Sequence, residues 1–315
     1  METCSCDATL KNTGTPACKS LMSYAEMLIL VPKYGSTGAL NFIDLTDTLD
    51  QAYFTAKINA SDPRDRWYPT PRVKDADSTK AASEFKTFND ASKIKIRDGV
   101  RSWSLILTQQ TPQFLGQLEA WGCAEFGIYI VDKSENLIGS LKAEGELYPI
   151  TVDEDTWNPV FAFAKGNDIQ MINLSFDIDL IEQDSDLNFI SAAELSPVRV
   201  INLEGLVDVV SVISSISQTD FSAELKVKGY GSALSPIHVE GLLITDFISS
   251  VGGATGKIRN QTTGLDVTIT SVVESPAGTY DINFASQTVG NVLILKPKKN
   301  KFDFSLVEKS TITVV

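Results

Sequence analysis

A Ser-His-Asp arrangement in this chain could be built only on His238, the single histidine among 315 residues. It lies in Ser235-Pro-Ile-His-Val-Glu-Gly241, where strand alternation makes it one face residue, so a surface role is expected and no triad. Cys4-x-Cys6 with Cys18 offers three thiolates. Tetrahedral zinc needs four ligands at closer spacing, and the fourth would have to be the distant Cys123, so no metal is expected. Cys123 follows a helix stop and reads as a small core residue. The crowding of three cysteines at one end is not a disulfide framework, and reduced thiols are expected. Paired carboxylates could do acid–base work or hold calcium: Asp153-Glu-Asp155, Asp177-x-Asp179 and Asp184-x-Asp186. None lies in an EF-hand loop, and residues two apart on a strand share the face that solvent would wet in any case. Val251-Gly-Gly-Ala-Thr-Gly256 lacks the Lys-Ser or Lys-Thr of a phosphate loop and reads as a turn. Among the aromatics, Trp103 and Trp121 fall on core-facing periodicities. Trp67, Tyr68 and Trp157 remain as exposed contact residues, for a protein surface before a sugar. The sequence thus offers no catalytic residue, no metal site and no cofactor, and an enzyme is not expected.

Charge narrows the partners. The formal net charge is −13, and of the 40 acids and 27 bases, 29 acids and 17 bases precede residue 196. So acidic a chain repels polyphosphate, because nucleic-acid affinity rests on Lys and Arg displacing counterions. No stretch has the form of a secretion signal or reaches the ~18 apolar residues of a membrane helix, which points to folding in a cytoplasm without a membrane partner.

The elements that would carry these residues are mostly strands. Residues 1–23 read as a polar N-terminal arm without a core of its own. Met27-Leu-Ile-Leu-Val31 is a short buried strand ended by Pro32. Residues 62–82, Pro-rich and charged, read as a long contact loop. Lys93-Ile-Lys-Ile-Arg97 and Val100-Arg-Ser-Trp-Ser-Leu-Ile-Leu107 flank Asp98-Gly99 and predict a type I′ hairpin. Thr111 as N-cap, Pro112 in the first turn and Phe114, Leu118 and Trp121 at helical spacing predict one helix, stopped at Gly122. A second hairpin follows over 126–142. Ile172-Asn-Leu-Ser-Phe-Asp-Ile-Asp-Leu180 alternates throughout, with an apolar face opposite a wet face carrying Asp177 and Asp179.

Ser196-Pro197 is a plausible boundary, giving domains over 24–195 and 196–315. Strands are expected over 198–203, 206–213, 221–227, 237–244, 267–273, 280–284, 292–295, 302–306 and 311–315, the spacing of a β-sandwich. Pro276-Ala-Gly-Thr-Tyr-Asp-Ile-Asn-Phe284 resembles the turn and strand of the tyrosine corner of immunoglobulin-like domains, without the Cys and Trp hallmarks of antibody domains. The fold class is therefore mainly β.

Two stretches carry a wider resemblance: Cys4-x-Cys6 through Leu10-Lys-Asn-Thr-Gly-Thr-Pro16 to Cys18, and Tyr230-Gly-Ser-Ala-Leu-Ser-Pro-Ile237 with Ala277-Gly-Thr-Tyr280. They look like virion structural proteins of tailed phages that infect Bacteroidota-type bacteria, and the likeness runs loosely from end to end. The order hairpin, helix, hairpin, long strand over 93–187 is similar to tail tube proteins. That resemblance implies a sandwich or barrel with one flanking helix, an outer Ig-like domain, and stacked, commonly hexameric, rings whose long hairpins join subunits around a channel. It further implies a virion location, assembly in the host cytoplasm, partners in copies of itself and in other tail or connector proteins, and passing DNA that is not held. The long 62–82 segment departs from that pattern and could make inter-ring contacts. An acidic lumen face at Asp177 and Asp179 would keep transiting DNA from sticking. Competing readings are a capsid-decoration or head–tail connector protein, and a β-rich glycan-binding adhesin using Trp67 or Trp157.

Overall fold

The strand Ala25–Pro32 has no polar face: Met27, Leu28, Ile29, Leu30 and Val31 are all at most 2% exposed. Successive side chains of a strand point to opposite faces, so this one needs apolar cover on both. Its antiparallel neighbour Phe126–Asp132 is buried along its whole length in the same way. Leu28, Leu30, Phe126, Ile128 and Ile130 enter one core, whereas Met27, Ile29, Val31, Tyr129 and Val131 enter another. The computed structural model describes residues 22–315 except 168, 196, 233, 250 and 251. With 48% strand against 11% helix, the chain is mainly β and built of curled, sandwich-like sheets.

The first core lies under a run of four long strands in the spatial order Val73–Lys80, Arg101–Thr108, Met171–Ile178, Ile150–Ala162. The last of these changes partners: Ile150 and Thr151 pair with Ile128 and Gly127, and the remainder with Met171–Ile178. On the opposite edge of Ala25–Pro32 lies Tyr68–Pro69, from which the chain runs directly into Val73–Lys80. The strands thereby return almost to their start, as in a barrel. Helix Pro112–Glu119 lies on its flank, capped by the Thr111 hydroxyl, which accepts from the Phe114 N–H, and continued by the 3₁₀ turn Ala120–Cys123. Leu118 is buried and its carbonyl accepts the Trp157 indole N–H at 2.8 Å, which pins helix to barrel.

The second core is covered by a second helix, Gln51–Ile58, whose N-terminus is capped by Asp50 and which buries Phe54 and Ile58. Sequence periodicity misses it because only two positions of this short helix are buried. Trp67, Leu195, Val198, Val200, Ile201 and Leu203 complete this core. The packing of the first part therefore runs to Leu203, past the expected boundary at 195/196.

A third core, from Val209 to Val314, lies within a nine-stranded sheet ordered Phe302–Asp303, Val207–Ser214, Asp220–Ser232, Thr279–Phe284, Leu265–Glu274, Lys257–Asn260, Val292–Ile294, Thr311–Thr313, with Ser235–His238 also on Asp220–Ser232. Tyr280 is fully buried. Its hydroxyl donates to the Val239 carbonyl (2.7 Å) and accepts from the Leu242 N–H (3.3 Å), so it staples a segment some forty residues upstream and not its own corner. The two parts meet at a largely buried ion pair between Arg66 and Asp303, and Arg66 also donates to the Ala60 carbonyl. Burial alone would push the Asp303 carboxyl up. The Ser305 N–H and the Arg66 guanidinium outweigh it and hold the group below its ordinary value.

Several expectations are corrected. The supposed loop 62–82 is largely structured, since Trp67 is 2% exposed and Val73–Lys80 is a sheet strand; Pro and charge here mark an edge strand and its approach. Trp157 is 7% exposed, so neither tryptophan is a surface contact. Cys123 is exposed, not a core residue. Asp98-Gly99 is not a hairpin turn. Arg101–Thr108 pairs with Val73–Lys80, and Lys93–Arg97 with Glu84–Thr87. Gly99 serves a close approach instead, because a Cβ there would lie 1.7 Å from the Ala81 carbonyl oxygen. Residues 200–202 form a 3₁₀ turn, Ser305–Glu308 a short helix, and Lys257–Asn260 an additional strand.

Candidate assembly interface

The paired segments 73–87 and 93–108 form one long hairpin with its tip at 88–92. Its inner half belongs to the barrel, while its outer half, Glu84–Thr87 against Lys93–Arg97, stands away from it. Every residue of the outer strands is exposed. The tip is nonetheless ordered by Phe88 N–H to Ser92 carbonyl (2.9 Å), Ala91 N–H to Phe88 carbonyl (2.9 Å) and Asp90 carboxylate accepting from the Ser92 N–H and hydroxyl, with Ala91 in the left-handed region.

Cross-strand partners share a face. The register Phe85↔Lys95 and Thr87↔Lys93 puts Phe85, Lys93 and Lys95 on one side, while Lys86↔Ile94 puts Lys86 and Ile94 on the other. Alternation adds Ile96 and Phe88 to that second side. Its large apolar groups are 60% (Ile94), 63% (Ile96) and 41% (Phe88) exposed, and the Lys86 ammonium lies 5.6 Å from the Phe88 ring centroid. The ribbon is therefore amphipathic, with an apolar side and a basic side, on an otherwise acidic chain. An isolated two-stranded ribbon is marginal in water, and a large uncovered apolar side is a contact in waiting.

The four-stranded wall of the barrel supplies a second surface. Register places Asp77, Ser104, Ser175 and Asn158 in one outward row, Thr79, Ser102, Asp177 and Asp153 in the next, and Asp75, Ile106, Asn173 and Val160 in a third. These rows carry four carboxylates and no Lys or Arg. Asp153 and Asp177 stand directly opposite one another, a like-charge pairing that costs stability. Asp177 thus lies on the acidic face. Asp179 sits past the strand's end in a turn, where its N–H donates to the Thr151 carbonyl and its carboxylate accepts from the Ile181 N–H. Leu180, expected on the apolar face, is 53% exposed.

Met171–Ile178 has strand neighbours on both sides and cannot be a joining edge. The open edges of the wall, among the described residues, are the outer side of Val73–Lys80 and the far side of 158–162. At one end of the wall Asp184 accepts from Arg101 and Lys80 (2.8–3.1 Å), and those two cations hold its carboxyl down at about 2. Glu182, its side chain 3% exposed, accepts from Lys142, Ser140 and the Thr151 N–H and anchors the same turn.

Of the other sequence candidates, His238 faces Glu224 at 3.2 Å on a half-buried strand. Asp153 borders the irregular stretch that brings Trp157 inward, and Asp155 lies within it. Cys4, Cys6 and Cys18 lie outside the described residues. Among the described residues no group of three or more His, Cys, Asp or Glu is placed to hold a metal. The sequence reading took Lys93–Arg97 as a hairpin strand but gave it the wrong partner, and it missed Glu84–Thr87 and with it the ribbon as a contact surface, although Glu84-Phe-Lys-Thr87 and Lys93-Ile-Lys-Ile-Arg97 alternate around the turn-forming Asn89-Asp-Ala-Ser92. Compared with known proteins, the chain matches no family model, no curated protein and no solved structure.

Proposed function

We propose that this chain is a self-assembling structural subunit whose copies join through the 84–97 ribbon and the open edges of the four-stranded wall, as in the tail tube of a tailed-phage virion. The observation that carries the reading is the ribbon itself: ordered, projecting, and apolar on a side that the chain itself leaves in water. Covering a large apolar side chain contributes about 1.5–3 kcal/mol, so Ile94, Ile96 and Phe88 together supply a contact worth forming. Open strand edges join chains through main-chain hydrogen bonds. In such a tube the Asp75, Asp77, Asp153 and Asp177 face would line the channel and repel passing DNA, and the second domain would lie outside. The partners are copies of this chain and adjoining tail or connector proteins, with no cofactor and no catalytic step.

Negative-stain electron microscopy across a concentration series tests the reading. The native sequence gives rings or stacked tubes, and Ile94→Lys with Ile96→Lys gives monomers whose melting temperature is unchanged, since exposed positions shift stability by within about 0.5 kcal/mol. Monomers of the native chain at every concentration would favour a decoration or connector role, and assembly unaffected by the double substitution would remove the ribbon from the mechanism.

A further inference from the structure

Over residues 84–97 the ribbon carries four bases (Lys86, Lys93, Lys95, Arg97) against two acids (Glu84, Asp90), on a chain of net charge −13. Arg97 is paired with Glu84 and Lys95 with Asp98, so among the described residues Lys86 and Lys93 are left without an ion-pair partner. Acidic groups lie at the same end of the wall but on its other edge. Ile178 pairs with Arg101 on one side and with Val152 on the other, which sets Val152 and Asp153 level with the root of the ribbon at Lys80 and Arg101. Glu154 and Asp155 follow in the stretch that has no partner on Met171–Ile178; Glu154 is half-buried and Asp155 exposed. The cations at this end, Lys80 and Arg101, are held by Asp184. Among the described residues Glu154 and Asp155 therefore have no ion pair.

We infer that the ribbon of one copy lies along residues 153–157 of the next, with Lys86 and Lys93 against Glu154 and Asp155. The inference rests on the assembly reading and names the surface that the ribbon meets. Strand direction supports it. Val73–Lys80 runs toward the ribbon and Ile150–Ala162 runs away from it, so joining these two edges between copies continues the antiparallel alternation of the wall. Neighbouring strands lie about 4.8 Å apart, so the ribbon then stands one spacing from the partner's edge strand, against three spacings, about 14 Å, from its own. Charge decides the same way, because unpaired cations meet unpaired anions across the joint and complementary charge fixes register. The ribbon is only two strands wide, and the long lysine stems let the ammonium groups of both its sides reach a surface beside it. Such a contact is head-to-tail: each copy gives a ribbon and receives one, which makes a ring where the rotation closes.

The test is a charge exchange in the full chain, with assembly followed by light scattering and sedimentation over a concentration series. One variant carries Lys86→Glu with Lys93→Glu, the other Glu154→Lys with Asp155→Lys. Each alone sets like charges across the joint and should raise the concentration for half-assembly by about tenfold or more, while the far-UV spectrum and the melting temperature of the dilute chain are kept. An equimolar mixture of the two should assemble as the native chain does, because a reversed ribbon then meets a reversed partner in strict alternation. A chain with all four substitutions should do the same on its own. If the native chain assembles but the reversals have no effect, or the mixture does no better than either variant, the inference is overturned and the assembly reading stands. A native chain that stays monomeric at every concentration overturns that reading and the inference with it.

Discussion

The two halves of this molecule solve the same problem, burying a β-rich interior, in different ways. The second half wraps one nine-stranded sheet around one core, is close to charge-neutral, and has Tyr280 tied at both lone pair and proton inside. The first half hangs two cores on the two faces of one pair of strands, carries nearly all the net charge, and sends a ribbon of Phe and Ile into solvent. A core with both faces committed leaves its outer walls free for other work. On the proposed reading, the contrast assigns association to the first half and self-containment to the second.

The largest effect should come from the first half's shared strands. Phe126 is fully buried and stacks edge-on with both Trp121 and Trp157. Phe126→Ala should cost about 3–5 kcal/mol, seen as a fall in the urea midpoint of the near-UV signal from the first half, while the second half's transition stays in place. A single shifted transition for the whole chain would mean that the halves are one cooperative unit. Arg66→Ala probes the same division from the junction. Leaving Asp303 buried without its partner should cost up to about 3 kcal/mol, and calorimetry should show the endotherm of the second half, which holds Asp303, moving to lower temperature. Tyr280→Phe should cost the second half about 1 kcal/mol for its lost hydrogen bonds, without altering assembly. The smallest effect concerns pH. Asp184 sits at about 2 in the folded chain against an ordinary 3.8, so the stability it lends is complete above about pH 4 and lost as pH falls toward 2. Asp184→Asn should flatten that part of the acid-denaturation curve.

What could be read in the sequence followed the range of the interactions involved. Thr111-Pro112 announced its helix because capping and proline geometry are local, and residues 126–142 announced a hairpin because strand, turn and strand are consecutive. The alternation from Ile172 to Ile178 gave the correct buried face. The pairing of Val73–Lys80 with Arg101–Thr108 could not be read locally, since it depends on a turn at 88–92 that competes with the more familiar signal of Asp98-Gly99. That same competition hid the ribbon. Trp67 and Trp157 looked available because their neighbours are polar, and only the tertiary placement of the segment 62–69 and of the irregular stretch 154–157 buries them. For the acidic face, Asp177 was legible from period two, whereas its juxtaposition with Asp153, Asp75 and Asp77 needed three inter-strand registers.

The strands Ala25–Pro32 and Phe126–Asp132 make one final demand. Because each faces a core on both sides, inserting or deleting a single residue in either would exchange the side chains of two interiors at once, with no solvent side to absorb the mistake. Length variation among natural variants should therefore be forbidden in these two strands and collect at 88–92, where an added residue only lengthens the reach of the ribbon. If copies join through the ribbon as proposed, such variants would form a graded set of rulers for the spacing between them.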